Sequence, residues 1–493
     1  MARIARIALA AGAAPLVLIA CTGASGGGQI PSASSPITPA EAQQGAQYHP
    51  QLLAEFGGAM SGPQAAYVEQ VGKGIAVQSG LGNARESFTV SLLNSSVHNA
   101  FAVPGGYIYT TRQLVTLMNN EAELAAVLGH EVGHVAARHS QRRQQAAQRN
   151  SILGLLGAIG SSLLLGNSGV GDTLARTFLQ GSQLLTLRFS RKQELEADDL
   201  GIQYLGRAGY DRRAMATVLA SLAAQNALDA RLAGRNASVP EWASTHPDPA
   251  SRVQGALARA NAAGSGGVTN RDTFLSRIDG LLYGDDPAQG LIEGSTFIHP
   301  ELRFAFTAPQ GFYMVNGTRA VSIQGQGGQG QLTLAPYNGD LDAYVRAAFA
   351  ALGGQNSRLA PSEVVRTTVN GLPAAYGSAR VMSGRSPVDV TVFAYEFARD
   401  RAYHFATITP AGRAGVFAGM YQSMRRIGER EAASVVPRQI RVVTVARGDS
   451  VASLARQMAY PDAQEERFRV LNGLSAREEV VPGQKVKLVV RSR

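Results

Sequence analysis

The chain has 493 residues, of which 45% are hydrophobic and 17% charged, and a formal net charge of +10. At roughly 150 residues per domain, this length predicts about three domains. The low charged fraction excludes a disordered acidic or basic tail protein. A single cysteine excludes a disulfide scaffold and a cysteine-based zinc or iron–sulfur site, so any metal site must be built from histidines and carboxylates.

The N-terminus has the pattern of a bacterial export signal. Arg3 and Arg6 precede an apolar run of about 14 residues, which is too short to span a bilayer. The run ends in Leu-Ile-Ala-Cys21, which resembles a lipobox, whose cysteine is diacylated and becomes the mature N-terminus. We therefore predict a signal peptide at residues 1–20, lipidation at Cys21 and a flexible tether at residues 21–47. The alternative is an ordinary secretory signal in which Cys21 is only a small apolar residue.

The pattern of polar and apolar residues changes along the chain and divides it into regions. One region is mainly helical in pattern, with a short strand-like patch at residues 88–110. A later region alternates polar and apolar residues with period two, around an Asn370-Gly371 hairpin signal. The sequence thus predicts a multidomain protein: a mainly α domain with minimal β structure (48–263), a linker (264–294), an antiparallel α+β domain of unknown role (295–431) and a small βααβ domain (438–490).

The strongest local motif is His-Glu-Val-Gly-His at residues 130–134. In a helix, His130 and His134 lie one turn apart, so both imidazoles can bind one metal ion. Glu131 projects beside them, where a carboxylate can serve as general base in metal-assisted hydrolysis. Asn120 as N-cap, with Glu123 completing a capping box, places the motif on a helix. The alternative, two histidines on a solvated helix face, is weak because this motif arises by chance in fewer than about one chain in a hundred.

A catalytic zinc site needs a third protein ligand. Glu194 and Asp198 are four residues apart and share one face of a second predicted helix, whereas Glu196 points away. We predict Glu194 as the third ligand and Asp198 as a group that orients a ligand histidine or donates a proton. Alone, this cluster would be a solvated acidic helix face. His139 is about 140° from the face of His134, so we predict that it either supports a ligand or lies at the surface.

These motifs, in this order, resemble a zinc metallopeptidase family that includes HtpX, the CAAX prenyl proteases, the mitochondrial Oma proteases and the periplasmic BepA-type enzymes. The resemblance implies a zincin-type metallopeptidase domain with one Zn²⁺ per chain. Asn99, Ala100 and Phe101 are similar to the family's edge strand, which implies that they bind substrate backbone. His246, within Thr-His-Pro, and Arg252 are similar to a downstream motif whose histidine acts as a switchable fourth ligand or stabilises the transition state.

The resulting set of site residues has two groups. The predicted metal ligands are His130, His134 and Glu194, and the predicted catalytic residues are Glu131, Asp198, His246 and Arg252.

Residues 438–490 resemble a LysM module. A strand leads into a Gly448-Asp449 turn, two short helices follow, and a second strand closes after Gly483-Gln484. LysM modules bind polymers of N-acetylglucosamine, which implies peptidoglycan as a partner. The alternative is a βααβ packing module without a ligand.

Taken together, the sequence predicts a zinc-dependent metalloendopeptidase of the bacterial cell envelope. It would be lipid-anchored in the periplasm, at the outer membrane, because Thr22 rather than an aspartate follows Cys21. Its substrates would be misfolded or misassembled periplasmic and outer-membrane proteins, and nucleic acid is not an expected partner. Two alternatives stay open: a chaperone-like scaffold bound to peptidoglycan, and, fitting less well, a peptidoglycan hydrolase.

Overall fold

The computed structural model describes residues 35–81, 84–145, 189–232, 246, 248–264, 266–353, 359–383 and 386–492. Helices predominate in the N-terminal part of these residues, and the C-terminal part is rich in β-strands. Cys21 and the predicted signal peptide lie outside the described residues. Among the helices that are described, none combines the length and the apolar character needed to cross a bilayer.

The N-terminal part places three strands among helices. Its elements are α1 (Pro39–Glu55), α2 (Pro63–Ala76), α3 (Ala84–Ser87), β1 (Thr89–Leu93), β2 (Ala100–Val103), β3 (Tyr107–Thr111), α4 (Arg112–Leu117), α5 (Glu121–Ala136), α6 (Arg191–Arg207), α7 (Ala214–Leu232) and α8 (Pro249–Ala262). The strand order β1-β3-β2 leaves β2 at an edge of this small sheet. β1 runs parallel to β3, and β2 runs antiparallel to it.

The first helix begins inside the predicted tether. The Thr38 hydroxyl accepts a hydrogen bond from the amide of Glu41, whose carboxylate in turn accepts one from the amide of Thr38. This capping box, with Pro39 at the first helical position, starts α1 at residue 39. Residues 39–47 are therefore helical, and only the part of the predicted tether before Pro39 precedes this helix.

Helix α5 carries the His-Glu-Val-Gly-His motif through the middle of the domain. Nearly all of its residues are buried, and it packs against α2, α6 and β2. The Asn120 side chain caps it by accepting a hydrogen bond from the amide of Glu123, as the sequence predicts. The reciprocal half of the predicted capping box is different, because the Glu123 carboxylate accepts from the amide of Asn119.

Helices α5 and α6 cross closely because both carry glycine at the crossing. A methyl group on Gly133 of α5 would lie 3.1 Å from the carbonyl oxygen of Ala197 in α6. A methyl group on Gly201 of α6 would lie 3.2 Å from the backbone nitrogen of His130. The small residues therefore bring the face of α6 that carries Glu194 against the motif of α5.

Residues 264–294, predicted as a linker, contain regular structure and contribute to the core. They include α9 (Arg271–Ile278), β4 (Leu282–Tyr283) and β5 (Leu291–Glu293). Phe274, Leu275 and Ile278 of α9 are buried in the same hydrophobic cluster as α2 and α5. This apolar spacing along one helix explains why the segment packs.

The middle part is an antiparallel α+β domain. Its further elements are β6 (Thr296–His299), β7 (Phe304–Thr307), β8 (Tyr313–Asn316), β9 (Val321–Gly325), β10 (Gly328–Leu334), α10 (Leu341–Gly353), β11 (Val365–Val369), β12 (Leu372–Ser383), β13 (Ser386–Ala398), β14 (Arg401–Pro410), α11 (Ala418–Ser423), β15 (Arg425–Arg426) and α12 (Glu429–Ser434). A seven-stranded sheet has the order β11-β12-β13-β14-β10-β9-β8, and a four-stranded sheet has the order β15-β7-β6-β5. Asn370 and Gly371 connect β11 and β12 with φ values of 48° and 78°, the left-handed pair that a two-residue hairpin requires.

The C-terminal part has the order strand, helix, helix, strand: β16 (Arg438–Thr444), α13 (Val451–Ala455), α14 (Gln464–Leu471) and β17 (Lys485–Arg491). β16 pairs antiparallel with β17 and, on its other side, with β4. We call residues 438–491 the C-terminal module. Its buried residues Phe468 and Leu488 belong to the same hydrophobic cluster as Leu117 and Met118 of the N-terminal part. The module therefore packs directly against the domain that holds α5.

Candidate metal centre

Four side chains from three parts of the chain converge at one buried point. His130 and His134 come from α5, Glu194 from the first turn of α6, and His246 from the segment before α8. One ligand atom from each lies within 4.8 Å of the ligand atoms of the other three, and all four residues are buried. The predicted ligands are thus brought together, and His246 joins them.

The spacing of these atoms fits a tetrahedral zinc site. Ligands about 2.0–2.1 Å from Zn²⁺ lie roughly 3.3 Å from one another in a tetrahedron. Nε2 of His130 lies 3.0 Å from Nε2 of His134 and 3.6 Å from Oε2 of Glu194. Nδ1 of His246 lies 3.3 Å from Nε2 of His130 and 3.1 Å from Oε1 of Glu194. Imidazole nitrogens and a carboxylate oxygen are also the donor types that zinc prefers.

The carboxylate of Glu194 is held in its charged form. Burial alone would raise its pKa, but the imidazoles of His246, His130 and His134 outweigh burial and hold the pKa far below its usual range. Burial also lowers the pKa of His134 well below its usual value. An ionised carboxylate and a neutral imidazole are the forms that bind a metal ion.

Glu131 stands beside this cluster and is fully buried. Among the residues that the structure describes, none forms a hydrogen bond with either of its carboxylate oxygens. Oε1 lies 3.5 Å from Nε2 of His246. Burial raises the pKa of Glu131. A buried carboxylate that none of the described donors satisfies can act on a proton of a bound molecule.

Asp198 and Arg252 form hydrogen bonds with the predicted ligands and hold them in position. Oδ1 of Asp198 lies 3.0 Å from Nδ1 of His130, so it accepts that ring's other proton. Burial would raise the pKa of Asp198, but hydrogen bonds from His130 and Arg252 lower it to about 2. The Arg252 guanidinium donates to Glu194 at 2.5 Å and to Asp198 at 2.5 Å and 2.9 Å. Arg252 therefore fixes both carboxylates of α6.

The structure adds two contacts that sequence reasoning did not assign. The ring of Phe189 stacks on the ring of His134, with centroids 3.9 Å apart and planes 20° apart. Phe189 directly precedes Ser190, the N-cap of α6, and an apolar residue at that position is a recognisable helix-start signal. His139 lies 2.7 Å from His134 through their Nδ1 atoms, which favours the first of the two roles predicted for it.

The predicted substrate-binding residues lie at the start of the edge strand. Asn99 and Ala100 are fully buried, and Phe101 is half-buried. The strand packs against α5. Within the described part of the chain, neither the oxygen nor the nitrogen of the Asn99 side-chain amide has a hydrogen-bond partner. An unsatisfied buried amide is costly, and here it adjoins the edge of a sheet.

Residues 63–260 match the family described as peptidase family M48. Over 189 residues the chain is 38% identical to the beta-barrel assembly-enhancing protease of Escherichia coli O157:H7, covering 38% of this chain and 37% of that protein. It is 33% identical over 175 residues to the mitochondrial metalloendopeptidase OMA1 of Arabidopsis thaliana, covering 36% and 32%.

A third relative is the metalloprotease LoiP of Escherichia coli strain K12, which is 31% identical over 168 residues that cover 34% of this chain and 60% of that protein. The chain thus spans less than two thirds of the length of these relatives. A solved structure from Bacteroides thetaiotaomicron VPI-5482 matches 40% of this chain and 87% of its own, with a TM-score of 0.24 and 9% identity.

Proposed function

We infer that residues 63–260, which form a peptidase family M48 domain, hydrolyse peptide bonds with one zinc ion. The chain as a whole is then a metalloendopeptidase. The observation that carries this inference is the convergence of His130, His134 and Glu194 beside Glu131. Peptidases of this family use zinc, and the donor set and its spacing fit that ion.

Each residue has a role in this reaction. Zinc, when bound, supplies a Lewis acid that polarises the scissile carbonyl and acidifies a water molecule. Glu131 would accept a proton from the attacking water and return it to the leaving amine, a task for which its raised pKa is suited. Asp198 orients His130, and Arg252 holds Glu194 and Asp198 in place. His246, whose ligand atom lies with those of the other three residues, would either help to hold the ion until substrate binds or stabilise the developing oxyanion.

Substrate is proposed to bind along β2. Pairing with an extended peptide would satisfy the edge of this strand that no other described strand covers, and the family resemblance assigns that role to Asn99, Ala100 and Phe101. The unsatisfied amide of Asn99 supports the assignment, since a bound peptide offers both a donor and an acceptor. The aromatic ring of Phe101, stacked on Tyr109, would then flank the bound backbone.

The proposed location is the periplasmic side of the outer membrane, with Cys21 as the lipid-bearing residue. The proposed substrates are misfolded or misassembled envelope proteins. The export-signal pattern supports the location, and the similarity to a protein named beta-barrel assembly-enhancing protease supports the substrate class. A Cys21→Ala variant should fail to incorporate radiolabelled palmitate and should fractionate with soluble periplasmic protein. Retained labelling would contradict this anchor.

Peptidoglycan is proposed as a partner of the C-terminal module. The strand–helix–helix–strand order supports this role. The loop before β17 exposes Val481, with 63% of its surface accessible, and the loop after β16 exposes Arg447. Sedimentation with purified sacculi tests it: the full chain should pellet with them and be released by soluble N-acetylglucosamine oligomers. If the chain stays in the supernatant, the module is a packing element only.

Hydrolysis is tested with a matched pair of variants. Glu131→Gln should retain zinc and fold but lose cleavage of casein and of an unfolded outer-membrane protein. Glu69→Gln, the same change on the exposed face of α2, should cleave like the wild type. A chelator should abolish cleavage by the wild type and by Glu69→Gln. Cleavage by purified Glu131→Gln protein would overturn the assignment. Zinc binding without any cleavage by the wild type would favour the scaffold alternative, and cleavage of sacculi alone would favour the peptidoglycan hydrolase.

A further inference from the structure

The second metal ligand has a support that differs from that of the first. Nδ1 of His134 lies 2.7 Å from Nδ1 of His139, whose side chain is fully buried. Nε2 of His139 lies 3.3 Å from Oε2 of Glu196. Both carboxylate oxygens of Glu196 in turn accept hydrogen bonds from Nη1 of Arg142, at 3.0 and 3.1 Å. These contacts form a chain from the metal centre to the protein surface.

An unusual turn makes the contact with His139 possible. If α5 continued, His139 would lie about 140° around the axis from His134 and could not touch it. Instead α5 ends at Ala136, and Arg138 adopts a left-handed backbone with a φ of 51°. A non-glycine residue in this region is strained, and such strain persists only when its surroundings hold it. The turn folds residue 139 back beneath His134.

The surroundings that hold this turn come from the N-terminal segment. Nε of Arg138 donates to Glu41 at 2.9 Å, and Nη2 donates to the carbonyl oxygens of Ser35 and Pro36 at 3.0 and 2.9 Å. The Arg138 side chain is buried. The strained residue is therefore fixed by three contacts from one segment, which indicates that the position of His139 is maintained by the fold.

The proton positions along the chain follow from the metal centre. His134 directs Nε2 toward His130 and Glu194, at 3.0 and 3.5 Å, so with a metal ion bound at that nitrogen its Nδ1 would carry the ring proton. That Nδ1–H can donate only to an unprotonated Nδ1 of His139. His139 then carries its proton on Nε2 and donates it to the Glu196 carboxylate.

We propose that His139 and Glu196 are positioning residues that fix the ring and tautomer of His134 for metal binding. The proposal rests on the metal centre of the proposed function. His130 is oriented directly by the buried carboxylate of Asp198. His134 is oriented by His139, which in turn is hydrogen-bonded to the partly exposed carboxylate of Glu196. The orientation of His134 therefore depends on a hydrogen-bond acceptor at Nδ1 of residue 139 and not on the aromatic shape of that side chain.

Two substitutions at residue 139 separate these properties. His139→Phe keeps the shape and removes the acceptor, whereas His139→Asn keeps a potential acceptor, its Oδ1, near the place of Nδ1. Zinc affinity by competition with a chromophoric chelator should fall by about 10–100-fold in His139→Phe and stay within about threefold in His139→Asn. The visible absorption of the Co²⁺-loaded protein should change in the Phe variant only. His49→Phe, a change at a histidine bonded to Tyr109 away from the centre, should leave both readouts unchanged.

The outcomes are distinguishable from failure of the proposed function. A wild-type chain that binds no zinc overturns the metal centre itself. A wild-type chain that binds zinc, with His139→Phe within twofold of it and an unchanged Co²⁺ spectrum, overturns only the positioning role. If His139→Phe does not fold, Glu196→Ala serves instead, because Glu196 is partly exposed. It should lower zinc affinity about threefold or more, and an unchanged affinity overturns the relay.

Discussion

The side-chain amino group of Lys487, on the last strand, donates a hydrogen bond of 2.5 Å to the carbonyl oxygen of Met118. It also donates to the carbonyl oxygens of Thr116 and Leu117, at 2.8 and 3.2 Å, and is fully buried. These three carbonyls close α4 immediately before the N-cap of α5. The C-terminal module thus satisfies backbone groups at the entrance to the metal-site helix.

Replacing Lys487 should therefore destabilise the N-terminal domain. Lys487→Met removes the donor and leaves buried carbonyls unsatisfied, which should cost about 2–4 kcal/mol. Hydrogen exchange of the amides of α4 and the first turns of α5 should be faster in the variant. Lys485→Met, two residues away, is the control: its amino group is partly exposed and 3.7 Å from Asp272, so its effect should stay within about 0.5 kcal/mol. Unchanged exchange in Lys487→Met would show that the module does not support this helix.

The close crossing of α5 and α6 gives a second prediction. In Gly133→Val, the Cβ of the new side chain would lie 3.1 Å from the carbonyl oxygen of Ala197. Since that contact is with backbone, α6 must move and carry Glu194 away from His130 and His134. We expect zinc affinity to fall at least tenfold. Gly74→Val on α2 is the matched control, because no atom lies within 4 Å of the position its Cβ would take.

Isothermal titration of both glycine variants with zinc measures this effect. Gly74→Val should bind within twofold of the wild type, since valine is no worse than glycine inside a helix. Wild-type affinity in Gly133→Val would mean that the two helices can separate without disturbing the centre.

The metal centre could be predicted from the sequence to a large extent because much of it is local. The spacing of His130 and His134 follows from helix geometry alone, and Glu194 shares a helix face with Asp198 by the same rule. Their meeting across the α5–α6 crossing is a tertiary fact, which was inferred from the need of a catalytic zinc site for a third protein ligand. Which of its two predicted roles His139 has could not be decided from the sequence, because no residue type at Arg138 signals the left-handed backbone that brings His139 to His134.

The middle domain was likewise predictable where the pattern is local. Alternation and the Asn370-Gly371 pair indicated its antiparallel strands, and both turn residues have the expected positive φ. The packing of residues 264–294 and of the C-terminal module onto the N-terminal part was not foreseen. Lys487 shows why: in the sequence it is one charged residue in a strand, and only distant carbonyls explain its burial.

Arg252 gives a third prediction, on charge balance. Arg252→Met would leave the buried carboxylates of Glu194 and Asp198 without their guanidinium partner. Breaking a buried ion pair in this way costs about 3–5 kcal/mol. In the presence of a chelator the variant should melt well below the wild type, and added zinc should recover part of the difference by supplying positive charge. Differential scanning fluorimetry with and without zinc measures both effects.

The control for Arg252 is Arg259→Met. Arg259 is partly exposed, and its Nη2 lies 3.7 Å from Oδ2 of Asp198, so its loss should change stability by less than about 1 kcal/mol. Equal melting temperatures for Arg252→Met and Arg259→Met in chelator would contradict the supporting role assigned to Arg252.

A buried histidine in the middle domain gives the last prediction, on pH. His404 of β14 lies under α10, where its Nδ1 is 2.9 Å from the hydroxyl oxygen of Tyr344, and burial lowers its pKa to about 4. The unfolded chain binds this proton near pH 6.5, so between pH 6.5 and 4 the folded domain binds fewer protons than the unfolded one. Its free energy of unfolding should therefore fall as the pH falls through that window, by up to about 3 kcal/mol.

Hydrogen exchange of the amides of β13 and β14, measured at pH 7 and at pH 4.5 and corrected for intrinsic rates, tests this dependence in the full chain. His404→Gln keeps a polar side chain that does not titrate, so it should remove about half of the pH-dependent loss of protection, because burial also lowers the pKa of His299 of β6 to about 4. His49→Gln, whose histidine lies in the N-terminal part beside Tyr109, should leave the loss in β13 and β14 as it is in the wild type. If protection in His404→Gln falls with acid as steeply as in the wild type, another group is responsible for acid sensitivity in this domain.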